Sequence, residues 1–246
     1  AVIGRWLEAH GFTVGVIAQP DWKSKKAFEG LGKPRLFVGI TAGNMDSMVN
    51  RFTAARHLRT KDAYSPAGKM DCRPDRATIP YTAMAKQVFK GTPIVIGGIE
   101  ASLRRLVHYD FWQDKMRGSI ILDSKADLLV YGMGEHQILE IARRLQKGKS
   151  IKECRDIPGI TYALGAKDSP PEDAIELPSL EICKKYPKEF AAMTVESYRQ
   201  ANPHCGKPMM QAHGSRWIVQ MPPAVPLTTK QLDYVHELNY QYSAHP

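Results

Sequence analysis

The chain has 246 residues, 43% hydrophobic and 24% charged, which suits a globular protein of one large or two small domains. No run approaches the roughly 18 apolar residues of a membrane span, and no signal peptide opens the chain, so a cytoplasmic location without a membrane partner is expected. The net charge of +9 prompts a search for an anionic partner, but the lysines and arginines are scattered among apolar residues at helical spacing, as on solvated helix faces.

In chain order, Val2, Ile3, Trp6 and Leu7 predict a helix stopped by Gly11. The chain starts in this helix without an initial methionine, so a fragment whose first strand is missing is expected. Thr13–Ala18 (TVGVIA) predicts a buried strand, Asp21–Leu31 a short helix ended by Gly32, Arg35–Ala42 a second strand, and Asn44–Phe52 a helix. The polar, basic stretch 53–76 is longer than an ordinary connection, and loops of that length tend to be functional. Tyr81, Met84, Ala85 and Val88 then form a helical stripe stopped by Gly91, followed by a strand from Pro93. Ala126–Gly132 reads as another strand, and Ile138, Ile141, Ala142 and Leu145 as a helix stopped by Gly148. Gly159–Leu164 is one more strand.

Apolar strands separated by amphipathic helices predict a doubly wound α/β domain with a mostly parallel sheet, Rossmann-like, over residues 1–164. Five strands are too few for a (β/α) barrel. Residues 165–246 read as a linker plus a small α+β extension: a Pro-rich acidic start, helical residues 179–201 interrupted at Pro187, a strand at Arg216–Met221, and a last helix N-capped by Thr229.

Ligands of such sheets bind outside the carboxyl ends of the strands. Three strand ends carry glycine with polar groups: Thr41–Asp46 with Asn44 and Asp46, Gly97–Ser102 with Glu100 and Ser102, and Gly132–His136 with Glu135 and His136. Arg104, Arg105, His108 and Asp110 follow the second. Glycine there permits close backbone approach, and the polar side chains suit a polar ligand or a facing domain; the same pattern also makes any βα turn and helix cap. None of the loops matches GxGxxG, a P-loop or a nucleophile elbow. Cys72, Cys154, Cys183 and Cys205 form no CxxC or metal-finger spacing, so no metal ligand and no catalytic residue is assigned.

The runs GRWLEAHGFTVGVIAQPDW, KPRLFVGITAGNMDSMVNRFTA, RPDRATIPYTAMAKQVF, PIVIGGIEASLRRLVHYDFW, DSKADLLVYGMGE and PLTTKQLDYVHEL together resemble the amino-terminal part of the YgiQ family of radical S-adenosylmethionine (SAM) proteins. The resemblance implies a cobalamin-binding-like α/β region followed by a barrel whose CxxxCxxC motif holds a 4Fe-4S cluster that binds and cleaves SAM. This sequence contains no CxxxCxxC, and AGNMDS stands where related folds carry the cobalamin signature DxHxxG, so no ligand of the cluster or of cobalamin carries over. The implied role is an accessory domain partnered by a radical SAM barrel of the same chain, the full-length protein being the enzyme. Two alternatives stay open: an RNA- or ribonucleoprotein-binding module using the basic loop and arginine pairs, and a freestanding cofactor- or nucleotide-binding domain.

Overall fold

The computed structural model describes residues 1–243. Helix α1 (Val2–Ala9) buries Trp6 and Leu7, and α2 (Lys26–Glu29) is one turn that buries Phe28. Strand β1 (Val38–Thr41) leads to α3 (Ser47–Arg51), whose N-cap Asp46 accepts from the N–H groups of Met48 and Val49. After the long segment 53–76 come α4 (Thr78–Val88), β2 (Ile94–Gly97) and α5 (Gly98–Leu103). A hairpin of β3 (His108–Asp110) and β4 (Lys115–Arg117) precedes α6 (Ile120–Ser124), β5 (Leu128–Val130) and α7 (Glu135–Gln146). The remainder holds β6 (Ile160–Ala163), β7 (Ile175–Leu177), α8 (Leu180–Lys185), α9 (Pro187–Arg199), β8 (Met209–His213), β9 (Arg216–Gln220) and α10 (Thr229–Glu237).

Seven strands form one sheet in the order β1-β2-β5-β6-β9-β8-β7. The pairs β1/β2, β2/β5 and β7/β8 are parallel, while β5/β6, β6/β9 and β8/β9 are antiparallel, so the sheet is mixed and not mostly parallel. The parallel half is the expected α/β unit. Beyond it β6 runs antiparallel to β5, and strands from the region after residue 164 continue the same sheet through β6.

The pleat sends alternate residues to opposite faces and so builds two cores. Ile94, Ile96 and Leu129 pack with Phe28, Tyr81, Ala85, Ile120 and Ile121, so α2, α4 and α6 cover one face. Val95, Leu128 and Val130 pack with Trp6, Leu7, Ile138 and Ile141, so α1 and α7 cover the other. Residues buried on both sides give β2 and β5 their continuous apolar sequences.

Several elements differ from their sequence reading. Thr13–Ala18 is not a strand: the stretch has strand composition but no ladder, and Val16 and Ile17 are exposed. The helix expected over 21–31 shrinks to α2, and Thr228, one residue before the expected cap, is the N-cap of α10, closing a capping box with Gln231. The break at Pro187 is where α8 ends and α9 begins, because proline's fixed φ starts a helix but cannot continue one. No described helix is long and apolar enough to cross a membrane.

Candidate functional site

Thr41 pairs with Gly97 across β1/β2, and Ile96 pairs with Leu129 across β2/β5, so the three loops after these strands leave the sheet side by side. They form one edge, as expected. Their packing is close: Gly98 sits at φ +80°, and a Cβ there would collide with Thr41 Oγ1. The Ser102 hydroxyl accepts the Gly132 N–H at 3.3 Å, which fastens α5 to the loop after β5.

Most of the polar groups at this edge are used by the protein itself. Glu100 is only 1% exposed; its carboxylate accepts Ser47 N–H at 2.9 Å, Thr78 N–H at 2.9 Å and the Ser47 hydroxyl. It therefore ties the starts of α3 and α4 to α5 and does not project toward a ligand. Asp46 is buried, caps α3 and pairs with Arg104. Burial works against the Arg104 charge, but the bond to Asp46 and the nearby carboxylates outweigh it and raise the pKa. Asp110 is buried too, accepting Trp112 and Gln113 N–H groups at 3.0 Å and pairing with Arg76. Burial raises its pKa, yet these bonds win and hold it below the ordinary carboxylate range.

The other predicted residues lie elsewhere around the same edge. Asn44 is exposed and donates to the Tyr64 hydroxyl at 3.2 Å. Arg105 has no carboxylate partner among the described residues; it donates to Gln220 Oε1 at 2.7 Å and Ser102 O at 2.6 Å, and its guanidinium lies 4.8 Å from the Tyr131 ring. Burial lowers its pKa. Glu135, the first residue of α7, is buried with Oε2 unpartnered, and His136 packs edge-on against Trp6 at 5.9 Å. His108 bonds Leu106 O through Nδ1 at 3.1 Å and leaves Nε2 unpartnered; burial pushes its pKa down to about 4.

Segment 53–76 contributes groups with no local sequence signature. Asp62 receives Asn50 Nδ2 at 3.0 Å, Tyr64 N–H at 2.9 Å, Ser65 Oγ at 2.7 Å and a two-pronged Arg73 at 3.0 and 3.1 Å. Burial opposes the Asp62 charge, but these donors lower its pKa. Ser65 also accepts from Gln19 Nε2 at 2.8 Å, so the segment is fastened to the region before α2. Only the length of the loop pointed to it.

Neither of two surface recesses provides a free polar cradle at this edge. One of about 270 Å³ is lined by Ser47, Arg51, Asp62, Asp71, Arg73 and Asp75, and its carboxylates already pair with Arg51 and Arg73. A larger one of about 640 Å³, lined by Lys86, Lys90 and Asp127 among others, lies at the amino ends of β2 and β5, away from the strand-end loops. Cys183 and Cys154 are buried on opposite faces of the sheet, Cys205 is exposed and Cys72 half-buried, and these thiols do not fit a cluster. The β1 loop offers no imidazole for cobalamin, since Asp46 is committed to its cap and to Arg104. What remains exposed at the edge is apolar: Ile99 at 50%, Leu103 at 64% and Met133 at 63%.

The family model described as radical SAM N-terminal matches residues 1–246. A UPF0313 protein of Geobacter sulfurreducens is 49% identical over 245 residues, covering 100% of this chain and 40% of the relative. A UPF0313 protein of Thermotoga maritima is 46% identical over 247 residues, covering 100% of this chain and 43% of the relative. The chain thus spans about two fifths of the length of these relatives. Among solved structures, the radical S-adenosylmethionine methyltransferase TsrM of Kitasatospora setae, with tryptophan substrate and a SAM analog bound, aligns with a TM-score of 0.42 at 20% identity, over 65% of this chain and 24% of that one.

Proposed function

Because this chain belongs to the radical SAM N-terminal family, we propose that it is the accessory domain of a radical SAM iron-sulfur enzyme, seated on a catalytic barrel of the same polypeptide. The edge formed by the loops after β1, β2 and β5 faces that barrel and helps close its active site. One observation carries this reading: the strand-end edge has its charges paired internally and presents Ile99, Leu103 and Met133 to solvent. Large apolar groups exposed together mark an interaction surface, and paired charges can be covered without leaving a buried ion alone.

In this proposal the 4Fe-4S cluster and SAM cleavage belong to the catalytic domain, and no step of that chemistry runs through the residues described above. The test uses the full-length protein. Anaerobic reconstitution followed by reduction with SAM should give iron-sulfur absorbance and SAM cleavage; absence of both overturns the enzyme half. The Leu103→Asp, Met133→Asp double variant should lower turnover at least about tenfold, as expected for losing 1.4 kcal/mol or more of docking, with the cluster content unchanged. Unchanged turnover overturns the docking half.

A second reading, RNA or ribonucleoprotein binding, is favoured by the Arg56 guanidinium 4.4 Å from the Phe111 ring, next to the Phe52–Trp112 stack at 5.3 Å. Cations interleaved with aromatics suit stacked bases. RNA affinity that falls steeply between low and moderate salt would support it, and a flat salt response would overturn it.

A further inference from the structure

The side of β1 away from β2 is an open edge, although it belongs to the parallel part of the sheet, where strands are normally interior. Val38 N–H bonds Pro93 O on the β2 side, so alternation turns the backbone groups of Gly39 and Thr41 to the open side. The apolar stretch Thr13–Ala18 makes no backbone–backbone hydrogen bond with any described residue, and Val16 and Ile17 are 64% and 38% exposed. Two sets of unpaired backbone groups in strand-forming sequence flank one missing partner.

The helices indicate where that partner belongs. Right-handed crossovers place the helix of each step on a face fixed by the direction of the step. The steps β1 to β2 and β2 to β5 run in one direction, and their helices α4 and α6 lie on one face. Helix α2, which carries the chain from Thr13–Ala18 to β1, lies on that same face, with the Phe28 ring 6.2 Å from Tyr81. Helix α1, which leads into Thr13–Ala18, lies on the opposite face. Its step therefore runs the opposite way, and a strand feeding α1 has to lie on the β1 side of Thr13–Ala18.

We propose that a strand of the same polypeptide, immediately ahead of Val2, inserts in parallel between β1 and Thr13–Ala18. The order becomes Thr13–Ala18, inserted strand, β1, β2, β5. The direction of winding then reverses between the inserted strand and β1, which makes the carboxyl end of β1 the switch-point crevice of the domain. That crevice opens between Asn44 and Gln19, beneath Tyr64 and Ser65, which these side chains already hold. The inserted strand is about five residues long and apolar on both faces, with α1 over one and α2 over the other. The inference rests on sheet topology and is independent of the partner-barrel reading.

Hydrogen exchange of the 246-residue chain, and of the same chain extended by the 20 or so residues its gene encodes ahead of Ala1, tests this. Peptides covering 13–18 and 38–41 should exchange rapidly in the shorter chain and at least about 100-fold more slowly in the extended one, as groups entering a cooperative ladder do. Peptides covering β2 serve as the control and should be protected in both. A proline in the apolar run of the extension should abolish the gain. The proposal is overturned by equal exchange in both chains with β2 protected, by protection that appears only on raising the concentration of the shorter chain, which assigns the edge to a second copy, or by a gene without such residues. The extended chain carries no barrel, so its result leaves the docking reading untouched.

Discussion

Replacing Glu100 tests whether the strand-end edge is organised by one buried carboxylate. Its two oxygens receive three donors: the N–H groups of Ser47 and Thr78, each at 2.9 Å, and the Ser47 hydroxyl, which itself accepts Ala77 N–H at 3.1 Å. Glutamine keeps the shape but turns one acceptor oxygen into a donor, so one buried N–H must face an NH2 group. Losing one hydrogen bond to a charged acceptor costs about 1.5–3 kcal/mol. Alanine strands both backbone N–H groups, at about 1–3 kcal/mol each, and adds a cavity, so Glu100→Ala should cost about 3–6 kcal/mol. Urea unfolding of the 246-residue chain measures both, read as a lower midpoint at unchanged slope. Because Ser47 supplies two of the donors, Ser47→Ala combined with Glu100→Gln should be non-additive by at least about 0.5 kcal/mol. A Glu100→Gln variant within about 0.5 kcal/mol of the parent, or additive effects of the pair, would refute the idea of a shared hub.

Three further outcomes are expected. Burial holds His108 and His213 near pKa 4 in the folded chain, against 6.5 unfolded, so the unfolded chain takes up protons first as pH falls. Stability should drop as pH falls from about 6.5 toward 4, by about 2 kcal/mol per histidine at pH 5, and His213→Leu should remove about half of that slope in urea titrations at pH 7 and pH 5. Gly98→Ala places a side chain at φ +80° and against Thr41 Oγ1, and should cost about 2 kcal/mol or more in the same assay. Thr228→Ala opens the capping box of α10 and should cost about 1 kcal/mol, with rescue by serine.

The parts of the fold legible in the sequence are those where local chemistry and tertiary burial agree. Ile94-Val95-Ile96 and Leu128-Leu129-Val130 are apolar because helices cover both faces, and Gly91 and Gly148 mark stops because each takes a positive φ. Thr13–Ala18 reads as a strand for the same reason but has no ladder, since composition encodes readiness to pair and not the presence of a partner. Strands β7 and β8 escape notice, one because the acidic, Pro-rich composition around it reads as a linker, the other because MMQAH carries glutamine and histidine into the interior. At the edge, the convergence of three glycine-bearing loops was legible. The commitment of Glu100 was not, because its donors Ser47 and Thr78 lie 53 and 22 residues away in sequence.

These internal commitments bear on how the edge can serve a partner. A free carboxylate or guanidinium covered by another domain would have to shed its water, a cost that an isolated ion recovers only with a well-placed counter-charge. Asp46 with Arg104, Asp110 with Arg76, and Asp62 with Arg73 have already met that condition within the chain. Covering Ile99, Leu103 and Met133 then gains apolar burial at about 25 cal/mol per Å² against little polar desolvation. Arg105, stacked on Tyr131 and bonded only to neutral acceptors, is different: its charge is buried and unmatched among the described residues. An anionic group brought by the facing surface would supply the missing partner, so Arg105→Gln should weaken docking in the full-length protein and make it less sensitive to salt, while leaving Leu103 and Met133 to contribute as before. Docking whose salt dependence is unchanged in that variant would assign Arg105 to the internal packing of α5 against β9 alone.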